Sequence, residues 1–226
     1  MAFLEARNIS KFFGQQSVLD NFSFAIEPGE CVLVYGPNGA GKSTLLHCLA
    51  GVMKPESGEV VVAGRPVWQG RGFERLRREL RIGFLPAENL LFPSLTIAEN
   101  LSLFMTLAAA MTSVRDELVS RLGLAPYLQK RLVTCSQGVA RKVGLARALI
   151  GTPQLVLLDE PFAHLDDASI DDLQILLRER REAGAAIVIA SHQREDSCGL
   201  YTALFPLVLA DSGADLCAGS AAGVVQ

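Results

Sequence analysis

One stretch constrains this chain more than any other: Gly36-Pro-Asn-Gly-Ala-Gly-Lys-Ser-Thr44, directly after the apolar run Cys31-Val-Leu-Val-Tyr35. A buried strand that breaks into glycines and then opens a helix leaves a row of backbone N–H groups facing one point, beside the positive end of the helix dipole. That is a cradle for a di- or triphosphate, and the Gly-x-x-x-x-Gly-Lys-Ser spacing fits it. The stretch predicts that Gly36, Pro37, Asn38, Gly39, Ala40, Gly41, Lys42, Ser43 and Thr44 hold a nucleotide's phosphates. Lys42 reaches the β- and γ-phosphates, and the Ser43 hydroxyl ligates Mg²⁺. A plain glycine turn with a stray Lys-Ser pair would need neither the strand before it nor the helix after it.

Three further apolar runs read as buried strands: Arg81–Leu85, Leu155–Leu158 and Ala186–Ala190. Strands of this kind alternating with helical patterns predict an α/β fold with a parallel sheet, whose ligands lie beyond the carboxyl ends of the strands. The start of the chain differs. Phe3–Ile9, Ser17–Leu19, Phe22–Ile26 and Glu59–Ala63 predict short strands in an antiparallel layer against the main sheet. Between Pro93 and Cys135 strand signals vanish. Thr96 with Glu99 three residues on forms a capping-box pattern, and further helices are expected over Ser113–Leu122 and Pro126–Leu132. No Gly/Ser linker flanks this region. It is expected as a helical subdomain, about residues 88–140, inside a single domain spanning 1–226.

Composition narrows the partners. Of 226 residues, 50% are hydrophobic and 20% charged, the balance of an ordered globular chain. With 21 Lys and Arg against 24 Asp and Glu the net charge is −3, which disfavours nucleic acid or anionic lipid as a non-specific partner. Mean hydropathy is positive, +0.29. Yet the longest nearly unbroken apolar stretch, Leu103–Met111, contains Thr106 and falls far short of the roughly 20 residues of a membrane span. A soluble protein without a secretory signal is expected. Cys31, Cys48, Cys135, Cys198 and Cys217 show no Cys-x-x-Cys spacing, so small buried hydrophobes in a reducing cytoplasm are expected rather than disulfides or zinc. The run Arg71–Arg81 interleaves Arg75, Arg77, Arg78 and Arg81 with Glu74 and Glu79, which fits a solvated helix face or a partner contact better than a nucleic-acid patch.

Chemistry concentrates at two other places. The run Leu155–Leu158 ends in Asp159 and Glu160, which puts two carboxylates at the phosphate-binding end of a parallel sheet. Asp159 suits the metal ion, and Glu160 suits a base that orients an attacking water. The second place is Ser136-Gln-Gly138 at the start of an amphipathic helix, a further anion site by its helix N-terminus, or an ordinary cap.

Cys135-Ser-Gln-Gly-Val-Ala-Arg-Lys-Val-Gly-Leu-Ala-Arg-Ala-Leu149 resembles the signature of ATP-binding-cassette (ABC) ATPases, and it precedes the Asp-Glu strand as it does in that family. The resemblance runs from Phe3 to about Leu209. It implies a RecA-like P-loop NTPase core that hydrolyses ATP with Mg²⁺. It also implies a head-to-tail dimer, with itself or with a second ABC ATPase, in which Ser136 and Gly138 of each chain contact the γ-phosphate held by the other. By the same resemblance Phe13 stacks on adenine, unless the neighbouring Phe12 does. Asp166 of Ala163-His-Leu-Asp166 lies at the dimer interface, and His192 touches the γ-phosphate. His47 and His164 receive no role. The family implies a transporter subunit at the cytoplasmic face of the inner or plasma membrane, attached through the helical region to separate integral membrane subunits. Nucleic acid is not an implied partner.

Three departures stand out. Ala87 occupies the place of a glutamine that in the family touches Mg²⁺ and water, and a methyl group cannot ligate a metal. Cys135 stands for the usual Leu and Val139 for the usual Gln, leaving the Ser-x-Gly element intact. Phe162 and Ser191-His-Gln193 are similar to the haem-exporter ATPases of cytochrome c maturation, implying haem or another small molecule as cargo. The alternative is a soluble ABC ATPase acting on ribosomes or chromosomes, but those usually carry two cassettes or a long coiled coil. Phosphate-loop kinases and GTPases lack the Ser-x-Gly element.

Overall fold

The computed structural model describes residues 2–68, 81–192 and 199–208. Most of the basic run at 71–81, Gln193, Cys198, Cys217 and the last dozen residues lie outside them.

The expected parallel sheet is present and has five strands: β3 (Cys31–Tyr35), β6 (Gly83–Leu85), β7 (Leu155–Asp159), β8 (Ala186–Ser191) and β9 (Ala203–Pro206), in the order β6-β7-β8-β3-β9. Every neighbouring pair runs parallel. Successive side chains of a strand face opposite sides, and here both sides are covered. Cys31, Leu33, Val156, Leu158, Ile187 and Ile189 enter one core, while Val32, Val34, Leu155, Leu157, Val188 and Ala190 enter the other. The strands read as unbroken apolar runs for this reason.

The second core lies against α1 (Lys42–Leu49) and the antiparallel sheet, β1 (Leu4–Phe13), β2 (Gln16–Ile26), β4 (Ser57–Val62) and the short β5 (Arg65–Pro66), in the order β2-β1-β4-β5. The two short strands expected at 17–19 and 22–26 are one strand with an irregularity. Asn21 adopts φ +50°, and pairing to β1 shifts register between Ile9 and Lys11. This keeps Leu19, Phe22, Phe24 and Ile26 all buried.

The first core is roofed by α2 (Ile97–Ala108), α3 (Thr112–Arg121), α4 (Gln137–Leu149) and α5 (Asp167–Glu182). The capping box at α2 forms as predicted: the Thr96 hydroxyl accepts from the Glu99 N–H, and the Glu99 carboxylate accepts from the Thr96 N–H at 2.7 Å. The helix expected over Pro126–Leu132 does not form. Two 3-10 turns, Ala125–Tyr127 and Leu132–Thr134, stand there instead. The segment between them lends its carbonyls elsewhere: Ile97 and Ala98 donate to Lys130 and Leu128 at 3.0 and 2.9 Å. The first-turn N–H groups of α2 are satisfied in this way, and an intact helix would have kept those carbonyls for itself. β9 was not expected from its sequence. Its residues are only half-buried, and it is held by main-chain pairing to β3 and by the Thr202 hydroxyl, which accepts from the Cys31 N–H and donates to the Cys31 carbonyl.

Candidate functional site

The turn after β3 leads into α1 through Gly41, at φ +93°. A Cβ there would lie 2.6 Å from the Val18 carbonyl oxygen, so glycine is required both by backbone conformation and by the close approach of β2. No side chain caps α1, and its first turn carries no acid. A helix start left bare in this way calls for an external anion. Lys42, the first helical residue, is buried to 7% exposure, and its ammonium donates to the carbonyls of Gly36 and Pro37 at 2.8 and 3.0 Å. The cation therefore lies over the mouth of the loop.

Asp159 and Glu160 stand at the end of β7, two positions along the sheet from β3. Asp159 is 1% exposed and takes a hydrogen bond from the Ser43 side chain. Burial pushes its carboxyl above the usual range, with the Ser43 bond opposing. Its Oδ2 is buried with no hydrogen-bond partner. A buried carboxylate oxygen left open beside a hydroxyl is the donor set of a hard divalent cation, whose other positions would go to phosphate oxygens and water. Among the described residues there is no cluster of three or more His, Cys, Asp and Glu that would hold a metal by itself.

Glu160 adopts φ +47°, a left-handed conformation uncommon outside glycine. Its carboxylate is held from β8: the Ser191 hydroxyl donates to Oε2 at 3.0 Å, and the His192 N–H to Oε1 at 2.8 Å. His192 Nδ1 lies 3.0 Å from the same Oε1. Phe13, Val18, Asn38, Gly39, Gly41, Lys42, Ser43, Thr44, Ala87, Asp159 and Glu160 line a single cleft of about 270 Å³. Phe13 is half exposed there, with the Lys11 ammonium 5.6 Å from its ring centre; Phe12, also exposed, does not line the cleft.

Residues 19–163 match the ABC transporter family. The chain belongs to the ABC transporter family. An Fe(3+) ions import ATP-binding protein of Haemophilus influenzae is 31% identical over 86% of the chain, but that alignment takes in 56% of the relative, so the chain spans little more than half its length. A lipopolysaccharide export system ATP-binding protein of Acidithiobacillus ferridurans is 31% identical over 99% of the chain and 92% of its own length. Among solved structures, a dimeric bacterial ABC transporter cassette superposes with a TM-score of 0.82 at 26% identity, covering 91% of this chain and 94% of the other. A post-hydrolysis dimeric cassette bound to ADP and Pi gives 0.81 at 25% identity, covering 92% and 96%.

Ser136, Gly138 and Asp166 stand apart from the cleft and are not among its lining residues. Ser136 is exposed at the N-cap of α4, where its hydroxyl accepts from the Val139 N–H at 3.3 Å. Gly138 packs on the loop before α5, and a Cβ there would lie 2.6 Å from the His164 carbonyl oxygen. Asp166 is the N-cap of α5. The Ser169 side chain and N–H hold its carboxyl below the usual range. His47 lies away from these residues, with Nδ1 2.6 Å from the Ser43 carbonyl and its ring edge-on to Phe84.

Sequence reasoning missed Val18, Ser191 and Arg141. Val18 is an unremarkable strand residue, and nothing in its neighbours marks it. Ser191 precedes His192 and could have been found as a hydroxyl at a strand end. Arg141 carried the clearest signal, a cation on the helix side that packs inward with Leu145 and Ala148.

Proposed function

We propose that this chain is the ATP-hydrolysing, nucleotide-binding subunit of an ABC transporter, closing as a head-to-tail dimer on Mg-ATP to drive transport through separate membrane subunits at the cytoplasmic membrane face. The observation that carries this reading is the pairing of a bare α1 start with Asp159, whose Oδ2 is buried and unpartnered beside Ser43.

The loop N–H groups and Lys42 bind the phosphates, Lys42 exchanging its two carbonyl acceptors for phosphate oxygens. Phe13 offers a ring face to the base. Ser43 and Asp159 are the residues that would hold Mg²⁺, which when bound neutralises charge on the β- and γ-phosphates. Glu160 orients the water that attacks the γ-phosphorus and accepts its proton; its carboxylate is aimed by Ser191 and His192. Ser136, Gly138 and Asp166 lie outside the cleft of their own chain, which supports their service to a second copy. No described helix is long and apolar enough to cross a membrane. Leu90, Phe92, Leu107 and Met111, in and around the helical subdomain, are exposed apolar side chains suited to the membrane subunits. The cargo reading, haem or another small molecule, rests on the resemblance carried by the Asp159-Glu-Pro-Phe162 turn and Ser191-His-Gln193.

Glu160→Gln tests the reading. Hydrolysis should fall at least about 100-fold while ATP stays bound, and a dimer should accumulate with ATP on a sizing column. A variant that binds ATP and remains monomeric would count against the dimer. Purification in mild detergent with no integral membrane protein attached would sink the transporter role.

A further inference from the structure

Arg141 is 4% exposed, the most deeply buried basic side chain among the described residues. One end of its guanidinium, Nη1, donates to the carbonyls of Pro86 and Ala87 at 3.1 and 3.3 Å and to Asn89 Oδ1 at 2.9 Å. The other end, Nη2, donates to the carbonyls of Asp159 and Glu160, the latter at 2.9 Å. All these acceptors are carbonyl oxygens, on two segments far apart in sequence. Removing a cation from water costs several kcal/mol even after relaxation, and a carbonyl offers it less than a carboxylate would. Burial lowers its pKa accordingly, with the Asp159 and Glu160 charges opposing.

The two segments meet at the active cleft. Ala87 and Glu160 line the phosphate cleft on one side and, on the other, a second cleft of about 400 Å³ beneath the start of α4. Glu160 is held in its left-handed conformation by its N–H to the Ala190 carbonyl and by Arg141 on its own carbonyl. One turn along α4, a Cβ at Gly144 would lie 2.9 Å from Asn89 Oδ1 and 2.9 Å from Leu85 Cδ1. The 86–89 loop is thus keyed to α4 at two successive turns, and Ser136 is the N-cap of α4.

We propose that Arg141 is a positioning residue: its planar fork locks the 86–89 loop to the backbone of Asp159 and Glu160, carrying between the helical subdomain and the phosphate cleft the link that the methyl group of Ala87 cannot make. The inference rests on the reading of the cleft as an ATP-hydrolysing site. Displacing the loop drags one end of a rigid guanidinium whose other end fixes where the Glu160 carboxylate starts. A lysine, a single point of donation on a flexible stem, cannot hold both segments at once.

The test compares wild type, Arg141→Lys and Asn89→Ala, each purified with any membrane subunits that accompany it. Wild type that neither binds nor hydrolyses ATP would remove the functional reading itself, independently of Arg141. With wild type active, Arg141→Lys should keep its ATP Kd and KM within about threefold and lose at least about tenfold in kcat. Asn89→Ala should lose about threefold in kcat at unchanged KM. Hydrogen exchange should show that a non-hydrolysable ATP analogue protects both residues 36–44 and residues 83–92 in wild type, and only 36–44 in Arg141→Lys. Unchanged kcat in a folded Arg141→Lys, protection at 83–92 that survives the substitution, or kcat, ATP affinity and Tm falling together would each overturn the proposal. If Arg141→Lys does not fold, Asn89→Ala decides: wild-type kcat with wild-type protection of 83–92 would overturn it.

Discussion

The phosphate cleft and the signature segment are built on the same device, a helix N-terminus, and they differ in what is left unsatisfied. At α1 no side chain caps the helix, Lys42 folds back on loop carbonyls, and Asp159 Oδ2 has no partner. At α4 and α5 the caps are filled from within the chain, Ser136 by the Val139 N–H and Asp166 by the Ser169 N–H. Buried polar groups without partners are costly, so the first region announces a ligand by its own geometry. The second region has its caps filled within the single chain, and under the proposed function it serves a second copy.

The most damaging way to probe the first region is Lys42→Ala. It removes the buried cation from a site already prepared for anions, so ATP affinity should fall at least about 100-fold by nucleotide titration and hydrolysis should become undetectable. Retained binding would mean that the bare helix start suffices. The second region is better tested by a substitution that respects its cap. Ser136→Asp keeps an N-cap acceptor, so Tm should stay within about 2 °C of wild type. The added carboxylate would nevertheless face the phosphate of the opposing chain, and ATP-driven dimerisation and hydrolysis should fall by about 10- to 100-fold. Wild-type turnover would reduce Ser136 to a cap and collapse the contrast between the two regions.

The smallest effect concerns stability. The Asp159 carboxyl is raised by burial, so the folded state binds its proton more tightly than the unfolded chain does. Its favourable contribution is complete below the unfolded pKa and is lost as pH rises through the folded value. Asp159→Asn should therefore raise Tm at pH 7 in a thermal unfolding scan. The advantage should shrink as the pH is lowered toward the ordinary carboxylate range. An unchanged Tm at both pH values would show that Ser43 and Arg141 already offset the buried charge.

Four of the five parallel strands were legible because both faces of their sheet are covered, leaving no polar alternation to confuse the reading. The phosphate loop was legible because Gly41 answers to a local backbone demand that few residues meet. What sequence could not show was cooperation at a distance. The 128–130 segment gave up its helix to satisfy the start of α2, and β9 holds its place through main-chain pairing that its side chains do not advertise. Arg141 spends its donors on two segments that only the fold brings together. Phe12 and Phe13 are equally aromatic, and only the cleft distinguishes them.

The strand order has a metric consequence. β8 separates β3, which carries the loop, from β7, which carries the acids, so the two halves of the cleft are spaced by two inter-strand steps, about 9.5 Å. The sheet is thus a ruler. Loop substitutions can change what grips the ligand, but the span it must bridge is fixed by main-chain hydrogen bonds in the middle of the protein, with Ser191 and His192 standing at its midpoint.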